Sequence, residues 1–274
     1  MRRALVVFVM LIALAGGVAA AQRQLGGFGF RPVEPRIKNP EYNGQFTFAR
    51  IKYVTGIGPD YGNGYYYGGL PAWAHGFVSL RGGNRAEESL MRIMDEISFL
   101  NPRVEDDVIA GFDDPELFKY PVAYMTEPGF WTLNDEEAAG LRAYLLKGGF
   151  IIFDDFRADG QYNSGGGFEN LVDNMHRALP ELQPVRLDAS APIFHSFFEI
   201  PDLDIIPQSY DRGEPEFWGF YENNDPTKRL MAIVNYNTDI SDFWEFSATG
   251  FRPIDESNQA YKLGVNYIMY GLTH

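Results

Sequence analysis

Apolar and polar positions change period several times along the chain, and each change predicts an element. Phe46-Thr-Phe-Ala-Arg-Ile-Lys-Tyr-Val54 alternates the two types and is rich in β-branched and aromatic residues, which predicts a first strand. Leu90, Ile93, Met94, Ile97 and Leu100 then recur at helical spacing. Asn84 and Glu87 stand before them as a reciprocal cap, and Asn101-Pro102 stops the helix. Val104 to Ile109 reads as a short strand, and Asp113-Asp114-Pro115 opens a helical turn. The best-defined unit runs from Tyr120 to Asp155. Pro121 to Thr126 is a continuous apolar strand, and Asn134 with Glu137 caps a helix whose inward face is Ala138, Leu141, Tyr144 and Leu145. Gly148-Gly149 ends that helix, and Phe150 to Phe153 is a second buried strand. Two such runs joined by one helix predict parallel pairing with a right-handed crossover.

After Asp155 comes a Gly-rich loop, Asp159 to Gly167, and then a helix with Phe168, Leu171, Val172, Met175 and Leu179 on its apolar face. Val185 to Leu187 and Leu230 to Tyr236 continue the sheet, and Ala260, Leu263, Tyr267 and Ile268 mark a closing helix. Residues 192–229, dense in Pro, acid and aromatics, have no clear period and read as an irregular insertion. The fold class is therefore α/β with a mainly parallel sheet, expected to occupy residues 41–274 as a single domain.

The beginning of the chain breaks this pattern. Arg2 and Arg3 precede an apolar run from Ala4 to Ala15, too short to span a bilayer, and small residues follow up to Ala19-Ala20-Ala21. Residues 1–21 are the pattern of a signal peptide cleaved before Gln22, with retention as an anchor the other possibility. Residues 22–40, rich in Gly, Arg and Pro, read as a flexible linker. Together they predict a periplasmic or secreted protein with no membrane span once the signal is removed. Residues 56–83 form a second irregular stretch, in which Gly alternates with Tyr66, Trp73, His75 and other rings. A loop this long inside a domain is uncommon and tends to be functional or mobile. It reads either as a flap packed over the sheet or as a stacking surface for a sugar or peptide.

Composition narrows the chemistry. The chain has no cysteine, which excludes disulfides, thiol nucleophiles and thiolate metal sites. Its 274 residues carry a net charge of −14, and loss of Arg2 and Arg3 with the signal takes this to −16. Phosphate binding relies on clustered Lys and Arg, so nucleic acid and anionic lipid are poor partners for such a surface.

Ligands of open parallel sheets bind beyond the carboxyl ends of the strands. The residues to inspect are therefore Glu127, the adjacent Asp154 and Asp155 with Arg157, and Asn237 with Asp239. Neighbouring residues on a strand face opposite ways, so only one of Asp154 and Asp155 is expected in a given crevice, the other capping a loop or pairing with Arg157. Glu127, Asp154, Asp155, Asp239 and His195 are candidates for acid and base groups. Asp154, Asp155 and Asp239 could hold Mg²⁺ or Ca²⁺, although no local metal motif supports this. Tyr66, Trp73 and His75 join Arg157, Asn237 and Asp239 as candidate ligand contacts. No cofactor is expected beyond a possible divalent metal. There is no G-x-S-x-G elbow, and the glycines at 165, 166 and 167 do not make a nucleotide loop.

The stretch Asp114-Pro-Glu-Leu-Phe-Lys-Tyr-Pro-Val-Ala-Tyr-Met, the segment from Leu133-Asn-Asp-Glu-Glu to Leu141-Arg-Ala-Tyr-Leu-Leu-Lys-Gly-Gly-Phe, and Asp154-Asp155-Phe156 resemble an uncharacterised bacterial family, domain of unknown function 4159. Pro192-Ile-Phe-His195, Asn237-Thr-Asp239 and Trp244 add to the likeness, which runs from about Phe46 to the C-terminus. The resemblance implies a flavodoxin-like three-layer α/β/α sandwich, similar to class I glutamine amidotransferases. It does not imply amidotransfer, which needs the cysteine this chain lacks. Members often carry a histidine where this chain has Ala191 and a Trp-Asp pair where it has Ala74-His75, departures that weaken the transfer of a catalytic role. Members are also encoded near chaperone-type ATPases and von Willebrand factor A proteins of the envelope, which implies assembly or binding.

The expectation is thus a non-catalytic binding or assembly protein of the envelope, whose partner is an unidentified small molecule, glycan or envelope protein. The alternatives are a cysteine-independent, metal-assisted hydrolase of carbohydrate or peptide, and an envelope-complex subunit with no small-molecule site.

Overall fold

Seven strands form one mixed sheet in the computed structural model, which describes residues 38–55, 66–67, 70–76, 86–156, 167–204 and 214–274. The strands are β1 (Ala49–Ile51), β2 (Val108–Ala110), β3 (Val122–Thr126), β4 (Phe150–Phe156), β5 (Pro184–Arg186), β6 (Glu216–Tyr221) and β7 (Leu230–Tyr236). Their order is β2-β1-β3-β4-β7-β6-β5. The first five in that order are parallel neighbours, and β6 runs antiparallel to both β7 and β5. The proposed signal peptide, most of the linker, Asn84, Arg157 and the Gly-rich loop up to residue 166 lie outside the described residues.

The helices are α1 (Ala86–Ile97), α2 (Asp135–Leu146), α3 (Gly167–Ala178), α4 (Ile240–Glu245) and α5 (Ile254–Thr273). Side-chain alternation along β4 shows how they form three layers. Phe150 and Ile152 pack with Leu90 and Met94 of α1, Phe243 and Trp244 of α4, and Leu263 and Tyr267 of α5. Ile151 and Phe153 pack on the other face with Leu141 and Leu145 of α2 and Leu171 and Met175 of α3. A strand covered on both faces must be apolar throughout, which is why the run from Phe150 to Phe153 has no polar residue. The sandwich is the one the resemblance implies, and β4 is interior between two parallel neighbours.

The Asn134 cap forms as expected: its side chain accepts from the Glu137 amide while the Glu137 carboxylate accepts from the Asn134 amide. Elsewhere the elements differ from the pattern. The Phe46–Val54 alternation yields only Ala49–Ile51 in the main sheet, because Val54–Thr55 leaves it to pair with Trp131–Thr132. The Glu87 carboxylate is buried against Arg50, while the Asn84 half of the expected cap lies outside the described residues. The region 192–229 is not wholly irregular, since Glu216–Tyr221 is a sheet strand whose Gly219 lets Leu230 and Leu187 close over it.

Candidate functional site

The connection leaving β1 leads to α1 on one face, and the connection leaving β3 leads to α2 on the other. The crevice between β1 and β3 is therefore the switch point of the sheet, where open α/β folds take ligands. His75 lies on the first connection and Glu127 on the second.

Three residues at the carboxyl ends of adjacent strands, Glu127 (φ 52°), Asp155 (φ 58°) and Asn237 (φ 58°), hold left-handed backbone. Non-glycine residues are uncommon there, at of order 1–3 kcal/mol each, and such strain gathers at functional sites. The strain at Asp155 has a visible origin. Val234 pairs with Phe153 and Tyr236 with Phe156, so Asp154 and Asp155 together oppose the single residue Asn235. This is a β-bulge, a device that re-aims side chains at the rim of a sheet.

The bulge corrects the expectation that the two carboxylates face opposite ways. Asp154 points to the α1, α4 and α5 face, where it is fully buried. It accepts from Tyr124 Oη (2.8 Å), Asn235 Nδ2 (3.0 Å), and the amides of Ile240 (3.3 Å) and Ser241 (3.1 Å). Strict alternation would send Asp155 to the α2 and α3 side. Instead its Oδ2 accepts from Thr126 Oγ1 (3.0 Å), two residues beyond Tyr124 on the Asp154 side, and lies 2.6 Å from His75 Nδ1. Both acids thus share one mouth, with different work. Asp154 is engaged in joining β4 to the start of α4.

His75 Nδ1 also lies 3.6 Å from Glu127 Oε1. Asp239 completes the group: it caps α4, accepting from the Asp242 amide (2.9 Å) and from Ser241 Oγ (2.8 Å). One ligand atom each from His75, Asp155 and Asp239 lies within 4.8 Å of the others, and the two aspartates are almost wholly buried. Glu245, at the end of α4, borders His75, since a β-carbon on Gly76 would lie 3.4 Å from its Oε2.

Among the described residues the carboxylates raise one another's proton affinities. Burial and the charge of Asp155 push Asp154 up to about 7, against the hydrogen bonds it receives. Burial, then Asp155, Asp242 and Asp154, raise Asp239 well above the carboxylate range. Burial raises Glu245 to about 7, with His75 opposing. Burial alone would lower His75, but the charge and hydrogen bond of Asp155, helped by Glu127, hold it well above the usual imidazole value. The His75 ring thus interacts with Asp155, Glu127 and Glu245 and lies beside Asp239. Such a set of one nitrogen and several carboxylate oxygens suits a borderline or hard divalent cation such as Zn²⁺ or Mn²⁺.

The remaining candidates go elsewhere. Trp73 is not a stacking surface: it is 2% exposed and packed in the core, its carbonyl accepting from Arg50. His195 is not brought to the group; its ring nitrogens lie 2.6 Å from Glu199 Oε2 and from the Ala189 carbonyl. Asn237 is buried and donates to the Glu214 carbonyl at 3.2 Å. Tyr66 pairs through its backbone with Pro71 in a short ladder. Glu245 was not foreseen, because the short α4 went unrecognised, although Asp239, Asp242 and Glu245 follow one another at helical spacing.

Fold and site together define an α/β/α sandwich with a half-buried histidine set among buried carboxylates at its switch point. The chain belongs to the family described as Domain of unknown function (DUF4159), whose model matches residues 80–272. The match holds Glu127, Asp155, Asp239 and Glu245 and begins just after His75. No curated protein matches the chain.

Proposed function

We propose that this is an exported envelope protein that binds a divalent cation at the switch point, through His75, Asp155 and Asp239, and uses that site to hold a ligand or partner. One observation carries the reading: several buried carboxylates converge on one imidazole, and the bulge re-aims Asp155 to join them. Buried charges of like sign are costly unless paired or coordinated to a metal. The raised proton affinities of His75 and Asp239 are consistent with this crowding of charge. The export signal at residues 1–21 sets the compartment.

A second reading, a metal-assisted hydrolase, is favoured by Glu245, whose value of about 7 suits proton transfer near neutral pH. The test of the first reading is a thermal-shift series with Mn²⁺, Zn²⁺, Mg²⁺ and Ca²⁺. The reading expects at least one ion to raise the melting temperature of the protein and to have no effect on Asp155→Asn. A wild-type protein indifferent to all four ions overturns it.

A further inference from the structure

Arg50 lies in the middle of β1 with no exposed surface, between residues that pack into the core. Its Nε and Nη2 face Glu87 Oε1, on the first turn of α1. Its guanidinium lies 5.2 Å from the centre of the Tyr124 ring, the residue that hydrogen-bonds Asp154. Its remaining arm, Nη1, turns away from the pair and donates to two carbonyls, those of Trp73 (3.0 Å) and His75 (2.6 Å).

A buried ion pair is no economical way to stabilise a fold, since well-packed apolar residues often do as well. What an apolar pair cannot do is hold a pair of main-chain carbonyls at a set distance. Those carbonyls flank Ala74 and belong to the short 3₁₀ turn Ala72–Ala74 and its end, from which the His75 side chain departs. On the far side of His75, the Gly76 carbonyl accepts from the Ala86 amide at 3.4 Å, the first residue of α1. Arg50 thus fixes the backbone on one side of His75, and the helix that carries Glu87 fixes it on the other. Guanidinium geometry is required, because one planar group must serve a carboxylate through one edge and two carbonyls through another.

We propose that Arg50, oriented by Glu87, is the positioning residue of the switch-point site: it sets the main chain of residues 73–75 so that His75 Nδ1 meets Asp155. The proposal deepens the cation-binding reading and rests on it for its consequence, while the His75–Asp155 contact can be read without any metal. Residues that orient a metal ligand typically affect affinity 10–100-fold when replaced.

The experiment compares Arg50→Lys and the double variant Arg50→Met/Glu87→Met with the full-length wild type. The double variant removes both buried charges together, so that folding is preserved where Arg50→Lys alone fails to fold. Two quantities are read: Mn²⁺ affinity, and the ¹⁵N-histidine spectrum, in which His75 is assigned by its loss in His75→Gln. The expected result is a folded double variant with Mn²⁺ binding weakened about 10–100-fold. Its His75 signals should move from those of a carboxylate-bound ring to those of a solvent-averaged one. Unchanged His75 signals and unchanged affinity in that variant overturn the proposal. Should the wild type bind no Mn²⁺ while the His75 signals still change, the cation reading fails and the positioning role stands.

Discussion

Asp154 and Asp155 are neighbours in sequence and occupy one side of the sheet, because both oppose the single residue Asn235 across the strand pair β4 and β7. Asp154 reaches Tyr124, Asn235 and the first amides of α4, while Asp155 reaches Thr126 and His75. One bulge therefore divides the pair into a residue that builds the fold and a residue that builds the site.

This division predicts unequal effects for the same substitution. Asp154→Asn would turn an amide NH₂ towards groups that are themselves donors, so it is expected to destabilise the protein by about 2–4 kcal/mol. Asp155→Asn relieves like charge and is expected to change stability by less than about 1 kcal/mol while removing cation binding. Urea denaturation of both variants, paired with a cation titration of each, checks the contrast. Equal loss of stability in the two would contradict it.

The raised proton affinities set a pH dependence. Asp154, Asp239 and Glu245 hold protons more tightly in the folded state than their ordinary carboxylate values allow, and His75 does so above its ordinary imidazole value. The native state therefore binds more protons than the unfolded chain, and stability falls as pH rises. For the acids the contribution is complete below about pH 4 and is lost as pH passes about 7 for Asp154 and Glu245; for His75 it is complete below about 6.5 and lost higher still. The metal-free protein should have a lower urea midpoint at pH 8 than at pH 5. The reverse order would show that the carboxylates are not crowded.

Glu127→Gly removes a strained residue, since glycine adopts φ near +52° freely. The expected gain is up to about 1 kcal/mol in stability, accompanied by weaker cation binding. A loss of stability in denaturant would mean that the Glu127 carboxylate, not its backbone, dominates there.

Gly140 on α2 faces the Phe112 carbonyl so closely that a β-carbon would overlap it. Gly140→Ala should destabilise the protein by about 2–4 kcal/mol, read as a fall in melting temperature, despite the better helix propensity of alanine.

The proposed export makes its own prediction. The mature protein recovered from the envelope or medium should begin at Gln22, which N-terminal sequencing determines; a chain beginning at Met1 would indicate a retained anchor.

The central part of the fold was legible because Phe150 to Phe153 and Pro121 to Thr126 are continuous apolar runs around a well-capped helix. The rim carboxylates were legible for the same reason, since each follows a readable strand. Three features were not. The bulge is a pairing between distant strands, and nothing local to Asp154-Asp155 signals that Asn235 stands alone opposite them. The Arg50–Glu87 pair joins a strand to a helix 37 residues away. The only local sign was a charged residue inside an apolar strand, which calls for a partner without naming it. His75 was among the candidate contacts, but it sits in an aperiodic stretch where no spacing shows that it meets Asp155, 80 residues away.

The most direct test of the central claim counts protons. On the proposed reading the cation competes with protons that His75 and Asp239 hold more tightly than usual, so titration calorimetry with Mn²⁺ or Zn²⁺ at pH 7, in two buffers of different ionisation enthalpy, should give one site with net proton release. Asp155→Asn should abolish both the heat and the release. A wild-type protein that takes up no cation, or binds one without releasing protons and equally well in Asp155→Asn, would contradict the account.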